Sequence, residues 1–261
     1  MKHKNNDTKK KTVLITGATG DLGYEFIKGY SRLGFNILFT SRDKEKSKEL
    51  IQFAKKNGCK KIHDIHVDLY DNLAVTKIIT AIKNLKLYPE TLVNNARDKK
   101  NLILESGYLL DRSKWINEFT INLIIPYELS IKLALLNKGK LKNIINIASI
   151  YGVVAPNPNI YKNSLKESPI NYGTVKAALI HITKELAVRL AEKKIRVNSV
   201  SFGGVKNKQS KLFQKKYSSL SPQKKMLSKD EVFGVIKFLT SEDSLSINGQ
   251  NIIVDGGWTI W

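Results

Sequence analysis

Val13-Leu-Ile-Thr-Gly-Ala-Thr-Gly-Asp-Leu-Gly23 runs from a β-branched segment, Thr12–Ile15, through three glycines into an amphipathic stretch, Leu22–Leu33. Each glycine has a physical task in such a turn. Gly17 permits the tight reversal, Gly20 lets a pyrophosphate approach the backbone, and Gly23 lets helix and strand pack closely. The helix then presents free N–H groups and the positive end of its dipole to an anion. A glycine pattern alone is weak evidence, and an ordinary tight turn competes with it. This one ends a first strand and opens a first helix, which is the context a dinucleotide site requires.

The same alternation continues outward. Apolar runs at Asn36–Thr40, Ile62–Val67, Thr91–Val93, Asn143–Ile147, Arg196–Val200 and Ile252–Val254 read as strands. Helix-length segments separate them at Lys44–Asn57, Asn72–Asn84, Arg112–Asn137, Tyr172–Lys193 and Lys229–Leu239. Strands alternating with helices predict a single doubly wound α/β domain over residues 12–261, with a parallel sheet covered on both faces. Two segments break the rhythm. Gly152–Asn171 is a polar loop holding Pro156, Pro158 and Pro169. Val205–Lys229 is weakly periodic, with eight Lys and no Asp or Glu from Lys206 onward. Loops of that length are functional lids or disordered.

Composition bounds the function. Of 261 residues, 42% are hydrophobic and 26% charged, an ordinary globular balance. No uninterrupted apolar run reaches ~18 residues, which reads against a membrane span. The lone Cys59 excludes an internal disulfide framework. The four His lack Cys or acidic partners at ligand spacing, so no metal is expected, and His63 and His66 read as flanking a strand. The net charge of +21 invites a nucleic-acid partner, but the basic residues are 38 Lys and only 6 Arg. Readers of nucleic acid lean on Arg and on interleaved aromatics, so coding bias explains the excess better and no nucleic acid is expected. Residues 1–11, with five Lys and no apolar stretch, read as a disordered basic tail and not a secretory signal, which points to the cytoplasm.

Candidate chemistry lies at strand ends. After the second strand comes Thr40-Ser41-Arg42-Asp43. Thr40 stands where a carboxylate would select NAD, and Arg42 can take a 2′-phosphate, so NADP is favoured while Asp43 leaves NAD open. Tyr172 and Lys176 share a helix face, and an ammonium beside a phenol favours the phenolate. Ser149 follows the fifth strand, where parallel sheets bind ligands, and Asn122 sits inside a helix as a mediocre helix former.

Together these residues resemble the short-chain dehydrogenase/reductase family from Val13 to Trp258. The likeness includes Val67-Asp68-Leu69, Asn94-Asn95-Ala96, Asn122, Ser149, Tyr172, Lys176, Ile195–Ser201 and Asn248–Gly257. It implies a Rossmann-type domain with a seven-stranded parallel sheet. It implies that Tyr172 is the general acid/base, that Lys176 tunes it and holds the nicotinamide ribose, that Ser149 positions the substrate oxygen and that Asn122 anchors a relay water. The cofactor would be held by Gly17, Thr19, Gly20, Asp21, Leu22, Ser41, Arg42, Asp68, Leu69, Asn95, Ala96, Gly203 and Val205 together with Tyr172 and Lys176. It also implies a homo-oligomer, tetramer or dimer, built on the helices Arg112–Asn137 and Tyr172–Lys193 with the C-terminal strand. The tail Trp258–Trp261 would be buried there or against its own domain.

The departures point further. Asp21 replaces a glycine that most single-domain members carry, and Gly20 supplies one a residue earlier, a spacing similar to that of extended members acting on nucleotide sugars. Arg97 stands where the family has glycine, Phe202-Gly203-Gly204 replaces Pro-Gly, and the Ser149–Tyr172 interval is long. This combination resembles oxidoreductases of flagellin modification and surface-glycan pathways. A carbonyl reductase or alcohol dehydrogenase acting on a sugar derivative is the leading expectation. The alternatives are a 3-oxoacyl-carrier reductase and a non-catalytic nucleotide-binding regulator. Arg97 on the floor of the site and the Lys-rich lid would favour an anionic substrate, unless those lysines are merely solvated.

Overall fold

The structure is a computed structural model that describes residues 11–98, 100, 109–136, 139–168 and 170–261. Residues 1–10 of the expected basic tail, Asn137 and Pro169 lie outside the described residues. Seven strands form one parallel sheet: β1 (Thr12–Ile15), β2 (Asn36–Ser41), β3 (Ile62–His66), β4 (Thr91–Asn94), β5 (Asn143–Ser149), β6 (Arg196–Phe202) and β7 (Asn251–Val254). Their order is β3-β2-β1-β4-β5-β6-β7. β1 pairs with β2 on one side and β4 on the other, Val13 facing Ile37 and Thr91. The chain reverses its winding at that point, so the β1 and β4 carboxyl ends open the crevice in which such sheets bind ligands.

The helices are α1 (Asp21–Arg32), α2 (Lys44–Lys56), α3 (Ala74–Leu85), α4 (Arg112–Phe119), α5 (Ile125–Leu136), α6 (Ser164–Glu167), α7 (Ile170–Arg189), α8 (Lys211–Leu220) and α9 (Val232–Leu239). They pack on both faces of the sheet. Val13, Ile15, Ile37 and Phe39 point to one core with Phe26, Ile27, Leu50 and Ile236. Leu14, Leu38 and Leu92 point to the other with Ile78, Ile121, Leu129 and Leu186. All four β1 residues are buried, as a strand covered on both faces requires.

Four features differ from the sequence reading. The stretch after Val205 is not a bare loop: α8 forms within it, its Phe213, Tyr217 and Leu220 spaced to face one side and Ser210 accepting a hydrogen bond from the Phe213 amide. The Gly152–Asn171 segment likewise contains short 3₁₀ turns and α6. His63 and His66 lie within β3, not beside it. The continuous helical run Arg112–Leu136 spans 25 residues and is by length and composition apolar enough to cross a bilayer, which corrects the expectation drawn from run length. Its stripe Ile121, Ile125, Leu129 and Leu133 is buried in the core beneath the sheet.

Candidate functional site

The glycine turn is built by close approach. Gly17 takes a left-handed backbone (φ 61°), and a Cβ there would stand 2.6 Å from the Ala96 Cα. A Cβ on Gly23 would meet the Ala18 carbonyl oxygen at 2.3 Å. The Thr16 hydroxyl accepts from the amides of Asn95 (3.0 Å) and Ala96 (3.1 Å), while the Asn95 amide group donates back to the Thr16 and Gly17 carbonyls. Thr40 Oγ1 accepts from the Gly17 N–H at 3.0 Å. The residue standing where an acid would select NAD therefore holds the turn in shape. No side chain caps α1 at Gly20, so its first turn is left to a ligand's anion. The substituted Asp21 accepts from Asn207 Nδ2 (2.9 Å) and pairs with Lys229 Nζ (3.3 Å), both from the segment after β6.

A cavity of about 530 Å³ opens over this turn and is lined by Gly17, Gly20, Asp21, Leu22, Asn95, Ser149, Tyr172, Lys176, Gly203 and Val205 among the expected residues. Ser149 ends β5 and is buried, its Oγ accepting from the Tyr151 amide at 3.2 Å. Tyr172 lies in the first turn of α7, and Lys176, one turn on, is 5.9 Å from its ring centre. Lys176 is buried and donates to the Ile147 carbonyl at 2.7 Å. Burial, helped by the Arg97 charge and opposed by Glu118, pushes its ammonium down to about 7. Asn122 sits under the site in a π-turn, Thr120–Ile124, that joins α4 to α5. Such turns often mark functional positions. Asn122 Nδ2 donates to the Glu118 carbonyl and side chain, while its Oδ1 is buried with no partner among the described residues.

The other expected cofactor residues lie outside this cavity. Ser41 is buried, its hydroxyl tied to the Asp43 backbone. Leu69 belongs to the core, and exposed Asp68 accepts from the Tyr70 amide. Arg42 donates to Asp98 at 2.8 Å. Burial works against the Asp98 carboxylate, but the Lys100 amide and Arg42 hold it below the usual range.

The sequence reading missed the aromatic wall. Tyr217 stacks on Trp258 at 5.5 Å, Phe213 on Tyr217 at 6.0 Å, and Tyr151 meets Trp258 edge-on at 6.2 Å. Tyr161 donates to the Tyr151 hydroxyl at 2.7 Å, and burial raises both phenols. The Phe213/Tyr217/Leu220 spacing was the available signal. The lid lysines do not line this cavity apart from Lys229, which Asp21 engages; Lys225 pairs with Glu231. Trp258 is buried in its own domain, whereas Trp261 is exposed.

The uncapped N-terminus of α1 and the open backbone at Gly20, where an added Cβ would come no closer than 3.6 Å to the Gly17 carbonyl, suit the pyrophosphate of a nicotinamide dinucleotide. The fold and site define a nicotinamide-dependent oxidoreductase of the Rossmann type. Residues 17–259 match the family described as enoyl-(acyl carrier protein) reductase. The chain is 31% identical to the 3-oxoacyl-[acyl-carrier-protein] reductase FabG of Buchnera aphidicola subsp. Schizaphis graminum, over 95% of its own length and 97% of that protein. It is 38% identical to post-translational flagellin modification protein A of Campylobacter coli across 116 residues, 44% of this chain and 45% of that one. It superposes on a short-chain dehydrogenase of Leptospira borgpetersenii holding NAD+ with a TM-score of 0.83 and 28% identity, covering 99% of this chain and 96% of that one. The chain belongs to the short-chain dehydrogenase/reductase family.

Proposed function

We propose that this enzyme interconverts a carbonyl and an alcohol on a sugar or nucleotide-sugar derivative, working with NADPH in the cytoplasm. The convergence of Ser149, Tyr172 and Lys176 at one cavity beside the glycine turn carries the reading. Bound nicotinamide supplies or takes up the hydride. Tyr172 donates the proton to the developing alkoxide, and the Ser149 hydroxyl steadies that charge where it forms. Lys176 holds the nicotinamide ribose and passes the proton onward. A water on Asn122 completes the relay, and the orphaned Oδ1 beneath the site offers it an acceptor.

The aromatic wall and the likeness to flagellin modification protein A favour a sugar ring. Similarity to FabG across the whole chain favours a second reading, a 3-oxoacyl thioester. NADPH is inferred from Arg42. Exposed Ile116, Ile124, Tyr127 and Leu135 on the α4–α5 run and Ile170 and Val188 on α7 support association of copies through these helices.

Tyr172→Phe tests the chemistry. Turnover should fall ~10²–10⁴-fold while NADPH still binds. Near wild-type turnover would overturn the assignment. Oxidation of NADPH by nucleotide sugars but not by acetoacetyl thioesters would favour the sugar reading, and the converse would favour the second.

A further inference from the structure

We infer that Arg97 is the substrate-specificity residue of the site, binding a carboxylate or phosphate oxyanion on the molecule whose carbonyl is reduced. The inference deepens the proposed function and rests on its placing the reacting carbonyl at Tyr172.

The backbone on either side of Arg97 is held in place. Asn95 is bonded to Thr16 and Gly17, the Ala96 amide is held by Thr16, and Ala96 packs against Gly17. On the other side Asp98 is buried and anchored by Arg42 and the Lys100 amide. Between these fixed neighbours Arg97 projects into the cavity, its guanidinium 4.9 Å from the centre of the Tyr172 ring. It stands over the ring whose hydroxyl must reach the carbonyl.

The charges around it leave it free to bind. Of the cations lining the cavity, Lys176 is bonded to the Ile147 carbonyl and Lys229 is paired with Asp21. Of the acids lining the cavity, Glu167 accepts from the Asn163 amide and Asp21 is paired with Lys229. Arg97 has no carboxylate partner among the described residues. A cation resting on a half-buried ring gains about 0.5–2 kcal/mol, while a charge-assisted bond to an oxyanion is shorter and stronger, so an oxyanion outcompetes that contact. A planar guanidinium also matches the two oxygens of a carboxylate or phosphate. A second cation close to buried Lys176 is a burden to the free enzyme, and a ligand's negative charge removes it.

The test uses two matched pairs of carbonyl compounds, acetoacetate against ethyl acetoacetate and dihydroxyacetone phosphate against dihydroxyacetone. In wild type, kcat/KM for the anion should exceed that for its neutral mate in at least one pair, which also separates carboxylate from phosphate. Arg97→Gln should cut that ratio about tenfold to hundredfold, and Arg97→Lys should retain part of it. Calorimetric titration of NADP+-saturated protein with acetoacetate and with dihydroxyacetone phosphate gives a readout without turnover, in which Arg97→Gln should weaken binding by a similar factor. Equal ratios and equal affinities in wild type and Arg97→Gln would overturn the inference, as would a rise in cofactor KM with the ratios unchanged. Absence of hydride transfer with all four compounds, with anion binding still lost in Arg97→Gln, would count against the proposed chemistry and support the Arg97 site.

Discussion

Lys176→Met should make the protein more resistant to heat while abolishing its chemistry. An unfolded chain holds this ammonium at its ordinary value of 10.5, and burial lowers it to about 7 in the fold. Between those values the unfolded state binds more protons than the native state, so stability rises with pH across that window. At and below about pH 7 the full cost of burying the charge is present. With ~1.4 kcal/mol for each tenfold change in proton affinity, that cost is on the order of 5 kcal/mol. The bond to the Ile147 carbonyl at 2.7 Å returns part of it, about 1.5–3 kcal/mol for a charged donor. Methionine keeps most of the stem's volume, so little cavity opens. The net gain is on the order of 2 kcal/mol, or ~4–8 °C in Tm for a chain of this size. Melting curves of cofactor-free protein from pH 6 to pH 10 measure it. The variant should lead by most at or below pH 7, and as the pH approaches 10 the lead should vanish and reverse, because the cost that disappears exceeds the net gain and the variant still lacks the bond to Ile147. A variant that melts below wild type at pH 6–7, or a gap that ignores pH, would refute the reasoning.

Asp98→Asn removes the charge that engages Arg42 at 2.8 Å. The kcat/KM ratio of NADPH to NADH should rise about threefold to tenfold for a pair of one half-exposed and one buried partner, and an unchanged ratio would show that Arg42 does not meet the 2′-phosphate. Asp21→Gly takes a carboxylate from the α1 N-terminus, where it repels a pyrophosphate yet favours the helix dipole by ~0.3–1 kcal/mol. Cofactor affinity should therefore rise at low salt, less so at high salt, while Tm falls slightly; weaker cofactor binding would contradict this. Tyr217→Phe strips the Gly204 amide of its 2.6 Å acceptor. A loss of ~1–3 kcal/mol is expected, read as a lower Tm with a higher substrate KM, and an unchanged melt would mean that α8 does not brace the turn after β6.

What was legible in the sequence is what backbone sterics and periodicity dictate locally. Gly17 and Gly23 announce the cradle because no side chain fits there, and Tyr172 and Lys176 announce themselves by helical spacing. Contacts between distant segments were not legible. Asp21 reads in the sequence as a substitution in the glycine turn, yet it meets Asn207 and Lys229, 186 and 208 residues away. Arg42 looked like a free phosphate ligand, yet Asp98 occupies it. The π-turn at Asn122 needs the packing of α4, α5 and α7 to exist at all, because its hydrogen bonds are poorer than those of the α-helix it interrupts. These pairings also change what the lysine excess means. Lys229 answers a charge that the glycine turn itself carries, Lys225 answers Glu231, and most of their neighbours face solvent. Lys229 thus ties the segment after β6 to the turn beneath it, and on the inference drawn above the cation that distinguishes one substrate from another is Arg97, standing where the family pattern has a glycine.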